Sequence, residues 1–189
     1  MFADLHGKKS IDAYDACRRV FLLTSQLKAR CKYANAKFEK VSAWSVGQHI
    51  EHVLAVNAHA VLILSRDAEN EKQISPASLE TLAMLESGTI PRGAATAPEA
   101  VQPKMNNFVD LTADVERNAN LLESTIVIHN QIASDCSLYA HPVLGGLTKM
   151  QWLRYLEIHI LHHMKIIADI VGHNAPADGL RKGAKVQRK

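Results

Sequence analysis

Apolar residues recur at helical spacing in four long stretches of this chain, separated by connections rich in proline, glycine and polar residues. The most complete stretch runs from Leu147 to Gly172. Its core-facing seam reads Trp152, Leu156, His159, His163, Ile166 and Ile170, an unbroken alternation of helical steps whose two middle members are imidazoles. Thr148 and Gln151 are spaced as a capping box, and Leu147 and Trp152 occupy the hydrophobic-staple positions around it. Gly172 is placed to close the helix in the left-handed conformation.

The same reading predicts a first helix from Ser10 to about Cys31, capped by Ser10, with Ile11, Tyr14, Cys17, Phe21 and Leu27 on its apolar face. The short connection after it predicts that helices one and two are antiparallel neighbours. A second helix spans Ser45 to about Ser65, with Ser45 as cap and Val46, Ile50, Val53, Val61 and Leu64 on one face. Residues 66–104 hold four of the six prolines. A short helix from about Pro76 to Glu86 fits there, capped by Ser75 and followed by Gly88. The remainder is a loop long enough to travel the length of a bundle and to cover a site.

Helical spacing resumes from Lys104 to Ser134 through Phe108, Leu111, Val115, Leu122, Ile126 and Ile132, interrupted by Asn118 and Thr125. Residues 135–146 read as a last loop, with Pro142 and the Gly145–Gly146 pair as turn formers. Four long helices and no convincing strand give an all-α fold, a single domain over residues 1–180 followed by a basic tail at 181–189.

Composition changes this picture little. At 47% hydrophobic and 22% charged residues, the 189-residue chain is ordinary for a globular domain. Its formal charge of +3 is concentrated in Arg181, Lys182, Lys185, Arg188 and Lys189, a solvated tail rather than a nucleic-acid arm. Cys17, Cys31 and Cys136 are odd in number and lack CxxC spacing, as in reduced thiols. There is neither a signal-peptide apolar core nor an apolar run of membrane-spanning length, so the expectation is a cytoplasmic protein with no membrane or nucleic-acid partner.

The histidines carry the chemistry. His159 and His163, four apart on one helix face, stand about 5–6 Å from each other at Cβ, so their rings can converge on one ion. They serve equally as core imidazoles satisfied by carbonyls or carboxylates. On the second helix, periodicity favours His49 as the buried ring, with His52 at the edge of the face and His59 further round.

The stretch WSVGQHIEHVLAV, with Trp44, Ser45 and His52, resembles the second-helix motif of the DinB/YfiT-like four-helix bundles. The last helix resembles that family's HxxHH motif, at His159, His162 and His163. The likeness is closest to a subfamily of undetermined function with an HP-x-x-G loop, here His141, Pro142 and Gly145. Its crossover is matched by Pro91, Arg92, Gly93, Ala97, Pro98 and Glu99. This resemblance implies an up-down-down-up bundle with a long crossover between helices two and three. It also implies one divalent metal, zinc or nickel, held by His52, His159 and His163. His49 and His162 are then neighbours of the site, and a homodimer is compatible with the family.

Three imidazoles leave a divalent ion with its full charge and an open position, an arrangement typical of catalytic zinc. Two reactions follow for a small-molecule substrate. In one, a low-molecular-weight thiol is activated as thiolate for S-transfer to an electrophile, the direction in which the resemblance leans. In the other, a metal-bound hydroxide hydrolyses an ester or amide. His162, His49 and Glu51 are the candidate catalytic groups, by proximity along their helices, and Arg92 is the candidate for binding a cosubstrate carboxylate. A non-catalytic metal-binding or structural bundle is the third reading.

Overall fold

The computed structural model describes residues 13–66, 74–93, 96–104 and 107–174. Six helices dominate: α1 (Ala13–Gln26), α2 (Val46–Leu64), α3 (Leu79–Ser87), α4 (Leu111–Ile126), α5 (His129–Ser134) and α6 (Lys149–Asn174). A two-stranded hairpin, β1 (Tyr139–His141) and β2 (Gly145–Leu147), lies between α5 and α6. The described part is mostly helical, as the hydrophobic spacing predicts, and none of its helices is long and apolar enough to cross a membrane.

Local chemistry explains most of the boundaries. The Ser45 hydroxyl accepts the Gln48 N–H and Gln48 answers to the Ser45 N–H, a capping box at the start of α2. Thr148 and Gln151 make the same exchange at α6, at 2.8 and 3.2 Å. Gly88 ends α3 at φ 71°, where a side chain would be strained. Several expected boundaries move. Ser78, not Ser75, caps α3, because Pro76 is occupied in a parallel bridge to Gly146. Gly172 does not stop α6, which continues to Asn174; there the amide reaches the Ile170 carbonyl. The first helix tightens into a 3-10 segment at Leu27–Tyr33, and its expected cap, Ser10, lies with Ile11 outside the described residues, as does the basic tail. The stretch expected as one helix over 104–134 is two, α4 and α5, broken at Val127 and Ile128.

The four long helices pack so that α1 meets α4 and α6, and α2 meets the same two. Helices α1 and α2 sit across the core from each other, not side by side, because the 3-10 segment carries the chain over before α2 begins. Paired residues give the directions. His49 faces His163 and His59 faces Trp152, so α2 and α6 are antiparallel. Arg19 meets Glu157 and, further along, Phe38 stacks on His173, so α1 and α6 run the same way. Lys28 pairs with Glu116 and Cys31 with Thr112, so α1 and α4 are antiparallel.

The polar interruptions of α4 are buried and partnered. Asn118 donates to the Leu54 carbonyl and accepts from Asn57, whose amide also reaches Thr24. One network thus ties α1, α2 and α4 at mid-height, where an unpaired amide would cost about 1–3 kcal/mol.

The hairpin, expected as plain loop, is held on both sides. Gly146 donates to the Ser75 carbonyl at 2.9 Å and accepts from Ala77 at 3.0 Å; a Cβ at Gly146 would sit 2.9 Å from that Ser75 oxygen. Beneath it, the buried Lys149 ammonium meets the Asp135 carboxylate at 3.1 Å and the Arg66 carbonyl at 2.5 Å. Burial alone would raise the Asp135 carboxyl, but hydrogen bonds from Tyr139, Ser137 and Lys149 outweigh it and hold it down to about 2. A carboxyl depressed in the folded state contributes stability that is complete above its unfolded value and lost as the pH falls through the folded one. Asp135→Asn should therefore cost about 1.5–3 kcal/mol in urea unfolding at pH 7. The deficit against wild type should shrink as the pH drops from about 4 toward 2.

Candidate metal centre

His52, on α2, and His159 and His163, on α6, are all buried and offer ligand atoms within 4.8 Å of one another. The antiparallel pairing of two helices, with histidines one turn apart on α6, is what brings them together. His159 Nε2 lies 3.1 Å from His52 Nε2 and 3.2 Å from His163 Nε2. Bonds of about 2.0–2.1 Å to one tetrahedral ion would put such nitrogens about 3.3 Å apart. Two of the three edges match that requirement.

A neutral imidazole has one N–H and one lone pair, so the partner of one nitrogen decides what the other presents. His52 Nδ1 is 2.7 Å from the Val101 carbonyl, which can only accept, so the proton is on Nδ1 and the lone pair of Nε2 faces the cluster. His163 Nδ1 is 2.9 Å from His49 Nδ1, and His49 Nε2 is 2.9 Å from the Ser42 hydroxyl. When the proton of His163 is on Nδ1, this relay ends at Ser42 and His163 Nε2 also presents a lone pair. His159 Nδ1 is buried without a partner. The residues fit a cation: three neutral rings converge, the His52 lone pair is set by Val101, and the relay through His49 allows His163 to present one as well.

Burial pushes all these rings below the ordinary imidazole range: His159 and His163 far below, His52 less, and His49 down to about 4. The carbonyl of Val101 works against burial at His52 but does not reverse it.

A cavity of about 290 Å³ opens beside the cluster, between the crossover, the hairpin turn and α6. Trp44, Trp152, Tyr155 and Leu144 give it a largely apolar wall, and no carboxylate, lysine or arginine is among the described residues that line it. The crossover covers the site, as its length suggested, and two of its carbonyls hold histidines: Val101 holds His52, and Ile90 takes a hydrogen bond from His162 Nδ1 at 3.0 Å. His162 therefore keeps a lone pair on Nε2 and lines the cavity.

The remaining candidates fall elsewhere. Glu51 accepts the Lys104 backbone N–H and does not line the cavity. Arg92 is ion-paired with Asp169 on the exposed face and is also outside the lining. His49 is buried, as periodicity favoured, yet touches the cluster only through His163. Sequence reasoning overlooked Ser42 and Tyr155; Tyr155 carries a readable signal, standing one turn before His159 on the same helix.

Buried neutral histidines also make the fold acid-sensitive. Folding holds their pKa values below those of the unfolded chain, so the unfolded state binds more protons and stability falls as the pH drops below about 6.5. Chelator-treated protein should lose melting temperature steadily between pH 7 and pH 5, above the ordinary carboxylate range. A flat profile would mean that the rings are open to water.

A family model described as a protein of unknown function, DUF1569, matches residues 71–169. No curated protein and no solved structure matches the chain. The matched span takes in the crossover, the hairpin and the α6 histidines, and it leaves out His49 and His52. Because it covers more than half of the 189 residues, the chain belongs to the DUF1569 family.

Proposed function

We propose that this chain is a metal-dependent enzyme with the DinB/YfiT-like four-helix-bundle fold. Its three-histidine centre would activate a low-molecular-weight thiol for S-transfer to a small electrophilic substrate. The observation that carries the reading is the convergence of three neutral imidazoles at the edge of a substrate-sized cavity without charged walls. The helix directions support the fold, since α1 and α6 run one way and α2 and α4 the other. For the last pair, Phe108 lies against Gly47 while Asn118 reaches Leu54.

In this reading His52, His159 and His163 hold zinc or nickel. Bound through three neutral ligands, such an ion keeps its full charge and lowers the pKa of a thiol or water placed on it. His49 and Ser42 orient His163. His162, with its own proton committed to Ile90, has Nε2 available to take the thiol proton. Hydrolysis is the alternative, with His162 as the base for a metal-bound water, because Glu51 is engaged by Lys104 away from the cavity.

Mass spectrometry of protein purified without a histidine tag should find near-stoichiometric zinc or nickel, lost in His52→Ala and His163→Ala. Protein that stays empty after incubation with zinc, nickel and manganese would sink the metal reading. His49→Ala keeps all three ligands and should still weaken metal affinity roughly 10–100-fold in a competitive chelator titration. Loaded protein should consume 2-mercaptoethanol with 1-chloro-2,4-dinitrobenzene faster than it cleaves p-nitrophenyl acetate. The reverse preference would favour the hydrolase.

A further inference from the structure

His141 and Tyr155 lie in the cavity wall with no part in the metal cluster. The His141 ring is fixed by the hairpin turn: its Nδ1 accepts the N–H of Val143 at 3.2 Å and of Leu144 at 3.1 Å. That nitrogen must offer its lone pair, so the proton sits on Nε2, at the opposite edge of the ring. The ring is clamped between Trp152 and Tyr155, with centroids 4.8 and 4.6 Å away.

Neither His141 Nε2 nor the Tyr155 hydroxyl has a hydrogen-bond partner among the described residues. Neither is sealed in the interior, where the partnerless described atoms are Asn57 Oδ1 and His159 Nδ1. Both therefore reach open space, and the space that their residues share is the cavity. The turn leaves the His141 proton on Nε2, and the Tyr155 hydroxyl carries its own, so both groups are uncharged donors.

We propose that His141 Nε2–H and the Tyr155 O–H form a recognition pair for a carbonyl oxygen of an uncharged, largely apolar substrate. This rests on reading the cavity as the substrate chamber beside the metal centre. Two donors without a partner among the described residues, in an apolar chamber, favour a ligand that supplies an acceptor, because a ligand without one leaves them desolvated. Without the metal a carboxylate is disfavoured, since no described cationic side chain lines the chamber to balance its charge. Donors aimed at an oxygen also suit a reaction in which negative charge grows there.

The test uses acetophenone, α-methylstyrene and benzoate as probes, titrated by NMR into the full chain before and after zinc loading. The first two share a shape and differ in a carbonyl oxygen against a methylene. In chelator-treated wild type, acetophenone should bind roughly threefold to tenfold more tightly than α-methylstyrene, with benzoate weakest. Tyr155→Phe removes only the hydroxyl, and His141→Asn keeps an acceptor for the turn N–H groups while deleting the Nε2 donor. Each should abolish most of the carbonyl preference and leave α-methylstyrene affinity within about twofold.

Long-range ¹H–¹⁵N spectra should show the His141 proton on Nε2. In chelator-treated protein, equal affinities in wild type, a preference intact in both variants, benzoate binding best, or a proton on Nδ1 would each overturn the proposal. The preference is expected in chelator-treated protein, so a chain that binds no metal would sink the metal reading alone.

Discussion

An imidazole buried neutral carries one proton for two nitrogens, and this constraint organises the middle of the molecule. Wherever the chain provides an acceptor for one nitrogen, the other is left as a lone pair; wherever it provides a donor, the other becomes an N–H. Val101 and Ile90 supply carbonyls to His52 and His162, and the turn after β1 supplies two N–H groups to His141. The crossover and the hairpin thus act as more than covers. They decide that His52 and His162 present lone pairs while an N–H points from the hairpin.

Neutrality is the second consequence of the same burial. A carboxylate in the cavity wall would have favoured the charged imidazolium, and none is among the described residues that line it. The charged candidates instead find partners outside it, Arg92 with Asp169 and Glu51 with the Lys104 backbone, as does Lys149 with Asp135 under the hairpin. The chamber is left with apolar surface and uncharged donors and acceptors, which ties substrate choice to hydrogen bonding rather than to ion pairing. A cation held by the cluster would then be the dominant charge in the chamber.

Much of this was legible in the sequence where the signal is local. The seam of α6 can be read from spacing alone, and every member from Trp152 to Ile170 is buried. The cap at Thr148 follows from side-chain reach. What failed was what depends on partners distant in sequence. Nothing local says that the 3-10 turn after α1 sends α2 to the far side of the core. Asn118 reads as an interruption because its partners, Leu54 and Asn57, lie on another helix. Three-residue strands are below the length at which alternation shows, and the hairpin forms because Ser75 and Ala77 give β2 a second set of hydrogen bonds.

His159 stands between the other two rings with its Nδ1 unpartnered, and its choice is sharpest when His163 holds its proton on Nδ1. With the proton on Nε2, it can donate to His52 or His163 but leaves the second lone pair facing it unmatched. With the proton on Nδ1, all three Nε2 lone pairs converge with nothing between them, and the Nδ1–H meets no acceptor. The first arrangement is the better of the two without a cation. The second becomes the better with one, because an ion attracts all three lone pairs and one unmatched N–H costs only about 1–3 kcal/mol. An apolar core seam has no other use for three inward lone pairs, so with His163 in that tautomer the donor pattern argues for the ion.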